Sequence, residues 1–529
     1  MYRRRTLTVL KQALSRNEAL MIKDISKVKK YDVFERVFTG KTDGNPFIDY
    51  DIKAVFKGEH EEVEVNGFYD GFGNYVVRFM PSYEGMYEYT VTGSFADEAY
   101  SGTIKVTAAD KKNHGPVRVT DKFHFSYDDG TPYYSVGTTC YVWELREDKL
   151  IAETLKSLDK AGFNKIRFCI FPKHYVYNLD EPRSYPFEGT PVGSYLITPE
   201  NFMDYDYKTV GNNWDFDRFN PAHFQHIEKC IKELKKIGVE ADLIVFHPYD
   251  RWGFSNLPRE VEVRYLDYII NRFAAYSNVW WSMANEFDIL PNRDDSVWNF
   301  YGNYFKEHDP YGHLRSIHNC LRVFDHSEPW ITHVSYQRTD LYKTAEDTDG
   351  LRDKYGKPVV LDEIAYEGNI QCGWGNIPGE EMVRRFWEGA MRGGYPGHGE
   401  TFLNDEGILW WSHGGKLRGE SWKRVKFLLK ILSETPGHGL KKVPAEWDCV
   451  TAVCEDDAIE AETGYRIDYY SFMRPGYREF NIKDDYLYEV EVIDTWDMTV
   501  KKVGTFSGKF KIELPGKPYM AIRLKKVLK

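Results

Sequence analysis

From about Thr120 to Thr435 the chain repeats one pattern: a short apolar run, an amphipathic window with helical spacing, then another apolar run. PYYSVGTTCYVW precedes DKLIAETLKSLDKAG, FNKIRFCIFP precedes HFQHIEKCIKELKKIG, and VEADLIVFHPYD precedes EVEVRYLDYIINRFAAY. VWWSMANEFD, HLRSIHNC, WITHVSYQR, KPVVLDEIAYEG and EGILWWSH bring the apolar runs to eight. DLYKTAEDTDGLRDKYG and GEEMVRRFWEGAMRGG fill gaps between them, and SWKRVKFLLKIL closes the series. Apolar strands separated by helical crossovers pair in parallel and are covered on both faces. Eight such units over roughly 315 residues predict a (β/α)8 TIM barrel in an α/β fold. An open doubly wound sheet is the rival, and it carries a Gly-rich phosphate loop after its first strand. GTTCYVW at Gly137 to Trp143 has no G-x-G-x-x-G, and the chain has no G-x-x-x-x-G-K-[ST].

Both flanks read differently. YDVFERVFTG, DYDIKAVFK, EEVEVNGFYD, GNYVVRFM, GMYEYTVTG and GTIKVTAA are short, rich in Val, Tyr, Phe and Thr, and broken by Gly or Asp turns. That spacing predicts a small immunoglobulin-like β-sandwich. After Pro436 short strands return, from VTAVCEDD to YMAIRLKKV. The chain of 529 residues therefore divides into an N-terminal β-sandwich over 1–115, a barrel over 116–435 and a C-terminal β-sandwich over 436–529.

Composition narrows the class of function. A formal charge of −11 and a pI near 5.8 argue against a nucleic-acid partner. No stretch approaches the ~20 apolar residues of a membrane span. Seven cysteines show no C-x-x-C pair and no close framework, which suits reduced thiols in a cytoplasmic chain. The start, MYRRRTLTVLKQALSRNEALM, has no continuous apolar core of a secretory signal. Twelve of the fourteen tryptophans lie between Trp143 and Trp422, so a ring-stacking ligand site belongs to the central region.

A TIM barrel places its chemistry at the C-terminal ends of its strands. Glu286 ends VWWSMANE and Glu363 ends KPVVLDE, the fourth and seventh strands by this count. Two carboxylates facing each other across a cleft are the minimum machinery of glycoside hydrolysis: one protonates the leaving oxygen, the other attacks the anomeric carbon or activates water. Asn285, directly before Glu286, offers a short amide for a sugar hydroxyl. Trp280, Trp281, Met283 and Phe287 are near enough in sequence to give Glu286 an apolar setting that raises its pKa. His398 in the Gly-rich PGHGE segment, and Trp374 and Trp252 in loops, are further sugar-contacting candidates. Asp362 alternates away from Glu363 and suits a structural hydrogen bond; Asp288, Glu367, Asp250 and Arg251 lie just past strand ends and could line the cleft. Asp405 and Glu406 precede ILWW, at the N-terminal side of the last predicted strand, and are set aside.

The Asn285-Glu286 pair and Glu363, in this order and context, resemble the superfamily of retaining glycoside hydrolases on (β/α)8 barrels that includes the family 5 cellulases and mannanases. The resemblance implies Glu286 as acid/base and Glu363 as nucleophile. It also implies Arg167 beside the nucleophile, His247 at the end of the third strand, His333 or Tyr336 on the sixth, and Trp410 or Trp411 as an aromatic platform. If the platform strand is regular, one of this pair faces the sugar, and Trp411 is the preferred one. GTTCYVW, GGYPGHGETF and the three-part layout look like the apiosidase-like branch, over essentially the whole chain from Tyr31.

The expected function is thus a retaining O-glycoside hydrolase acting on plant-derived oligosaccharides, without cofactor or metal. A non-catalytic carbohydrate-binding protein would use the same aromatic cleft. A metal-dependent hydrolase would use His247, His318 and His333, but the chain has no H-E-x-x-H and no short H-x-H. The long segment from Asn178 to Asn213 would wall one side of the cleft and favour exo action. Sugar identity and oligomeric state are not written in the sequence.

Overall fold

The computed structural model describes residues 26–192, 211–338, 340–444, 447–483 and 485–527. Its chain separates into two compact units. One takes the described residues up to Gly115 together with Asp267–Ser277; the other takes Pro116–Leu266 and the described residues from Asn278 onward.

The first unit contains a five-stranded sheet (Ser26–Lys29, Tyr100–Thr107, Gly85–Thr92, Lys53–Lys57, Glu62–Asn66 in spatial order) and a three-stranded one (Phe34–Thr39, Asn74–Phe79, Phe68–Tyr69). Alternation decides which side chains enter the space between them. In Gly85–Thr92, Tyr87, Tyr89 and Val91 are buried while the residues between them are exposed. Phe56 stacks on Phe79 at 4.2 Å and meets Tyr89 at 5.4 Å, giving this sandwich an aromatic core. Ser26–Lys29, which pairs in parallel with Tyr100–Thr107, has no counterpart in the sequence reading.

In the second unit eight parallel strands form the barrel: β1 (Gly137–Thr139), β2 (Lys165–Cys169), β3 (Glu240–Phe246), β4 (Val279–Ala284), β5 (Arg315–Ser316), β6 (Val334–Gln337), β7 (Val359–Glu363) and β8 (Tyr395–His398). Backbone pairing runs β5-β4-β3-β2-β1-β8-β7-β6. The remaining seam is crossed by Thr332 N–H donating to Arg315 O at 2.9 Å and by side chains of Asn319, Gln337, His318 and Ser335.

The eighth strand corrects the sequence reading. It is YPGH, not EGILWWSH, and Trp410–His413 is a single helical turn beyond it. Glycines made this segment look like a loop. Gly397 is required because a Cβ there would lie 2.5 Å from the backbone oxygen of Asp362 on β7. Asp405 and Glu406 consequently follow the last strand, as exposed loop residues, instead of preceding it.

The barrel interior is layered. At the bottom Phe125, from a small sheet formed by Val117–Thr120, His124–Tyr127 and Pro132–Tyr133, packs with Tyr133, Trp280, Val360 and Tyr395. Above it the Lys165 ammonium donates to Asp242 and Asp362, each at 2.7 Å and all three buried. Burial opposes ionisation of Asp362, yet Lys165, Arg167 and His318 outweigh it and hold this carboxyl well below the usual range. Residues from Leu440 form a six-stranded sheet faced by the pair Tyr477–Asn481 and Lys509–Glu513, around a core that includes Val490, Ile512, Ile522 and Leu524. Of its tryptophans, Trp447 is exposed and Trp496 lies under the Arg424 guanidinium at 4.0 Å.

Lys165→Met leaves two buried carboxylates without their cation and is expected to destabilise the protein by about 3–5 kcal/mol at pH 7. A carboxyl whose folded pKa is depressed stabilises above its unfolded pKa, and that stability fades as pH falls through the folded value. Without Lys165 the Asp362 carboxyl loses a cation that keeps it ionised and takes up its proton at higher pH, so the gap narrows on acidification. Denaturant unfolding at pH 7 and pH 4 checks both statements.

Candidate active site

Glu286 and Glu363 meet at the upper end of the barrel interior, each 7% exposed. The chain leaves β4 and β7 through left-handed residues that are not glycine, Glu286 itself at φ 52° and Ala365 at φ 64°. Such backbones cost on the order of 1–3 kcal/mol and persist where surrounding contacts dictate how a side chain is aimed. A register shift opposite β7, between Ser335 and Gln337, lets consecutive residues serve the interior. Asp362 does not alternate away: it occupies the Lys165 layer, and Glu363 stands above it.

Two polar bridges join the glutamates. Asn285 donates to Glu286 Oε2 at 3.3 Å, while its Oδ1 accepts from Arg167 Nη1 at 2.8 Å and from the Tyr141 hydroxyl at 3.1 Å. Both of those donors also reach Glu363 Oε1, Arg167 at 3.3 Å and Tyr141 in a short hydrogen bond. On the other side His318 Nε2 lies 3.4 Å from Glu363 Oε1 and 3.0 Å from Gln337 Oε1. Gln337 Nε2 in turn donates to Glu286 Oε1 at 3.1 Å. One intervening amide separates each glutamate from the partners of the other.

The electrostatic settings differ. Burial works against the Glu363 carboxylate, but His318, Arg167 and Tyr141 more than compensate and hold its pKa well below the carboxylate norm. Glu286 is held by neutral donors, namely Tyr249, Gln337 and Asn285. Among the described residues no Lys, Arg or His forms an ion pair with it. The tryptophans expected to surround it are elsewhere. Trp280 belongs to the bottom layer, Trp281 packs on Phe305, and Phe287 packs on Phe324.

An aromatic wall stands beside this pair. Trp411 lies 5.4 Å from Tyr141, 5.7 Å from Tyr175 and 5.1 Å from Trp374. Trp410 turns the other way and donates to Thr138 Oγ1. The buried Lys173 ammonium sits within this wall, 3.3 Å from the Tyr141 ring centre, 4.2 Å from Tyr249 and 5.0 Å from Trp411. Burial lowers its pKa to about 8.

Four expected contacts fall outside this cluster. His333 packs at the barrel bottom against Trp280 and Phe125, because it precedes β6 instead of ending it. Tyr336 bonds Asp347 on the outer side of β6, one residue out of phase with Gln337. His247 is buried with Nε2 3.2 Å from Phe171 O, and Tyr249, two residues on, takes the inward place. His398 is inside β8, packed on Phe163 and 3.2 Å from Thr138 Oγ1. Asp288 accepts from three backbone N–H groups at residues 320–322, and Asp250 from those of Trp252 and Ser255, so both order loops. Tyr141, Lys173, Tyr249, His318 as a partner of Glu363, and Gln337 are site residues that the motif reading passed over. Gln337 ends β6 and Tyr141 lies two residues past β1, which is signal enough; Lys173 is four residues past β2 and carries none.

A parallel barrel with two bridged glutamates at the C-terminal ends of its fourth and seventh strands defines a glycoside hydrolase of the TIM-barrel type. The family comparison agrees: residues 120–426 match the apiosidase-like catalytic domain, and the chain belongs to that family. Residues 27–94 and 447–525 match two domains of unknown function, DUF5060 and DUF5605. A crystal structure of a candidate glycoside hydrolase from Bacteroides vulgatus ATCC 8482 is 38% identical, with a TM-score of 0.86, over 95% of this chain and 100% of that one. A glycoside hydrolase family 5 structure from the same organism shares 15% identity at a TM-score of 0.57, over 78% and 93% of the two chains, a likeness of fold. No curated protein matches the chain.

The caged ammonium makes a separable prediction. A lysine whose folded pKa is lowered costs stability throughout the range in which it is charged, and regains it as pH rises from about 8 toward the ordinary lysine value. Lys173→Met should therefore be more stable than wild type at pH 7, by on the order of 1–3 kcal/mol, with the difference closing by pH 10. Thermal melts at the two pH values measure it.

Proposed function

We propose that this enzyme is a retaining O-glycoside hydrolase acting on oligosaccharides of plant origin. The unequal setting of the two glutamates carries the reading: the Arg167 guanidinium, the His318 ring and the Tyr141 phenol meet Glu363, while the hydrogen-bond donors to Glu286 are neutral. A carboxylate held ionised, opposite a second carboxyl that no ion pair holds, is the pairing of a nucleophile with an acid. The Glu363 carboxylate attacks the anomeric carbon as the glycosidic C–O bond breaks, and the Glu286 proton passes to the leaving oxygen. Glu286, now ionised, takes a proton from water; the oxygen of that water attacks the same carbon and releases Glu363. Asn285 and Arg167 hold both carboxyls on one centre, and Trp411 and Trp374 give a sugar ring a stacking face. The chain's free thiols, Cys140, Cys169 and Cys230 buried among them, fit a cytoplasmic setting.

The wall that would favour exo action falls partly on residues 193–210, outside the described residues. Its described flank is a hairpin of Phe187–Thr190 with Asn213–Phe219.

Aryl glycosides and plant oligosaccharides, assayed with wild type, Glu286→Gln and Glu363→Ala, test the proposal. Glu363→Ala should lose at least 10³-fold in kcat, on the order of a removed covalent step, and azide should restore turnover as a glycosyl azide of inverted configuration. Full turnover by Glu363→Ala removes the nucleophile assignment. Sugar binding by wild type with no hydrolysis and no covalent adduct favours a carbohydrate-binding protein instead.

A further inference from the structure

Beyond the catalytic cluster, Glu367, His398 and Glu400 come together just past β7 and β8. Glu367–Gly368 and Glu400–Thr401 pair in parallel, and His398 ends β8. One donor atom from each lies within 4.8 Å of the others, and all three residues are at least 96% buried.

Their hydrogen bonds orient them without satisfying them. Glu367 accepts from Glu420 N at 2.8 Å, Ser421 N at 3.0 Å and Ser421 Oγ at 2.5 Å. Glu400 Oε2 accepts from Arg418 N at 2.7 Å and Gly419 N at 3.1 Å. Glu400 Oε1 and His398 Nε2 have no hydrogen-bond partner, and they face each other at 3.7 Å. The other ring nitrogen of His398 is 3.2 Å from Thr138 Oγ1, which fixes the imidazole so that Nε2 points into the cluster. Among the described residues no Lys or Arg head pairs with either glutamate. Buried carboxylates are ordinarily paired with a cation or bound to a metal. Two carboxylates steered by N–H groups and an imidazole steered by a hydroxyl are what an outer shell does for metal ligands.

We propose that Glu367, His398 and Glu400 hold one divalent transition metal ion of the zinc or manganese kind, which accepts imidazole and carboxylate together. Metal bonds of about 2.0–2.2 Å laid end to end nearly span the donor separations, so a small inward movement closes the site. The ion ties the ends of β7 and β8 to residues 418–421, which enter the helix Ser421–Ser433. It also underpins the Trp374 loop, whose backbone is anchored beside Glu367 by Tyr366 N to Trp374 O at 2.7 Å and Ile377 N to Tyr366 O at 3.2 Å.

The test is metal binding by the full chain after dialysis against a chelator, titrated separately with ZnCl2 and MnCl2, with CaCl2 and MgCl2 as further arms. One equivalent of Zn2+ or Mn2+ is expected, weakened at least 100-fold in both Glu400→Gln and His398→Gln, with a rise in Tm on metal addition only in wild type. If the variants fail to fold, the Mn2+-loaded wild type decides alone: its electron spin echo should show coupling to one imidazole nitrogen. No stoichiometric binding of Zn2+ or Mn2+, binding unchanged in folded variants, or an echo without nitrogen coupling overturns the proposal.

Discussion

The contact on which the site depends is the Arg167 guanidinium against Asn285 Oδ1 and Glu363 Oε1. It joins the second, fourth and seventh strands at one level, so a carboxylate on one strand and an amide on another cannot drift apart independently. Arg suits this place because its planar donors are always charged and hold a fixed geometry. Tyr141, two residues past β1, repeats the link: its one hydroxyl proton goes to Glu363 Oε1, and its oxygen lies 3.1 Å from Asn285 Oδ1. Glu286 joins through the other end of the Asn285 amide.

That contact rests on the layer beneath. Lys165 on β2 is two residues before Arg167, and in a strand residues two apart share a face. Both cations therefore point inward, one above the other. Asp242 and Asp362 neutralise the lower one and Glu363 faces the upper one. Ser335 connects the layers: its hydroxyl donates to Asp362 Oδ2 at 2.5 Å and lies 2.9 Å from His318, which reaches Glu363. The barrel core is thus ionic in its middle and aromatic at its floor. An uncompensated charge in such a place is expensive, so each change is felt through the stack.

The β/α alternation was legible because it depends on burial, and burial writes periodicity into a sequence. Seven of the eight strands were placed on their own apolar runs. The eighth does not read as a strand because its tight approach to β7 demands glycine, and glycine reads as a turn. The proposed catalytic pair is suggested by strand ends and by the company of Asn285. Its partners are less legible. Residue type points to His333 and Tyr336, whereas the inward phase of β6 selects Ser335 and Gln337, and one residue of phase reverses the face. The expectation of an apolar setting for Glu286 failed similarly: Trp280 and Trp281 are adjacent in sequence, but alternation sends one to the barrel floor and the other to the helical layer. Lys173 was invisible because an aromatic cage assembled from Tyr141, Tyr249 and Trp411 is a tertiary fact.

The account stands on Glu363 and Glu286 acting on one anomeric carbon from opposite sides through a covalent intermediate. Proton NMR of the sugar released in the first turnovers tests this most directly, before mutarotation blurs the anomers. A first product with the anomeric configuration of the substrate is the predicted result. A first product of opposite configuration would contradict the account, because a single displacement by water needs no nucleophile at Glu363.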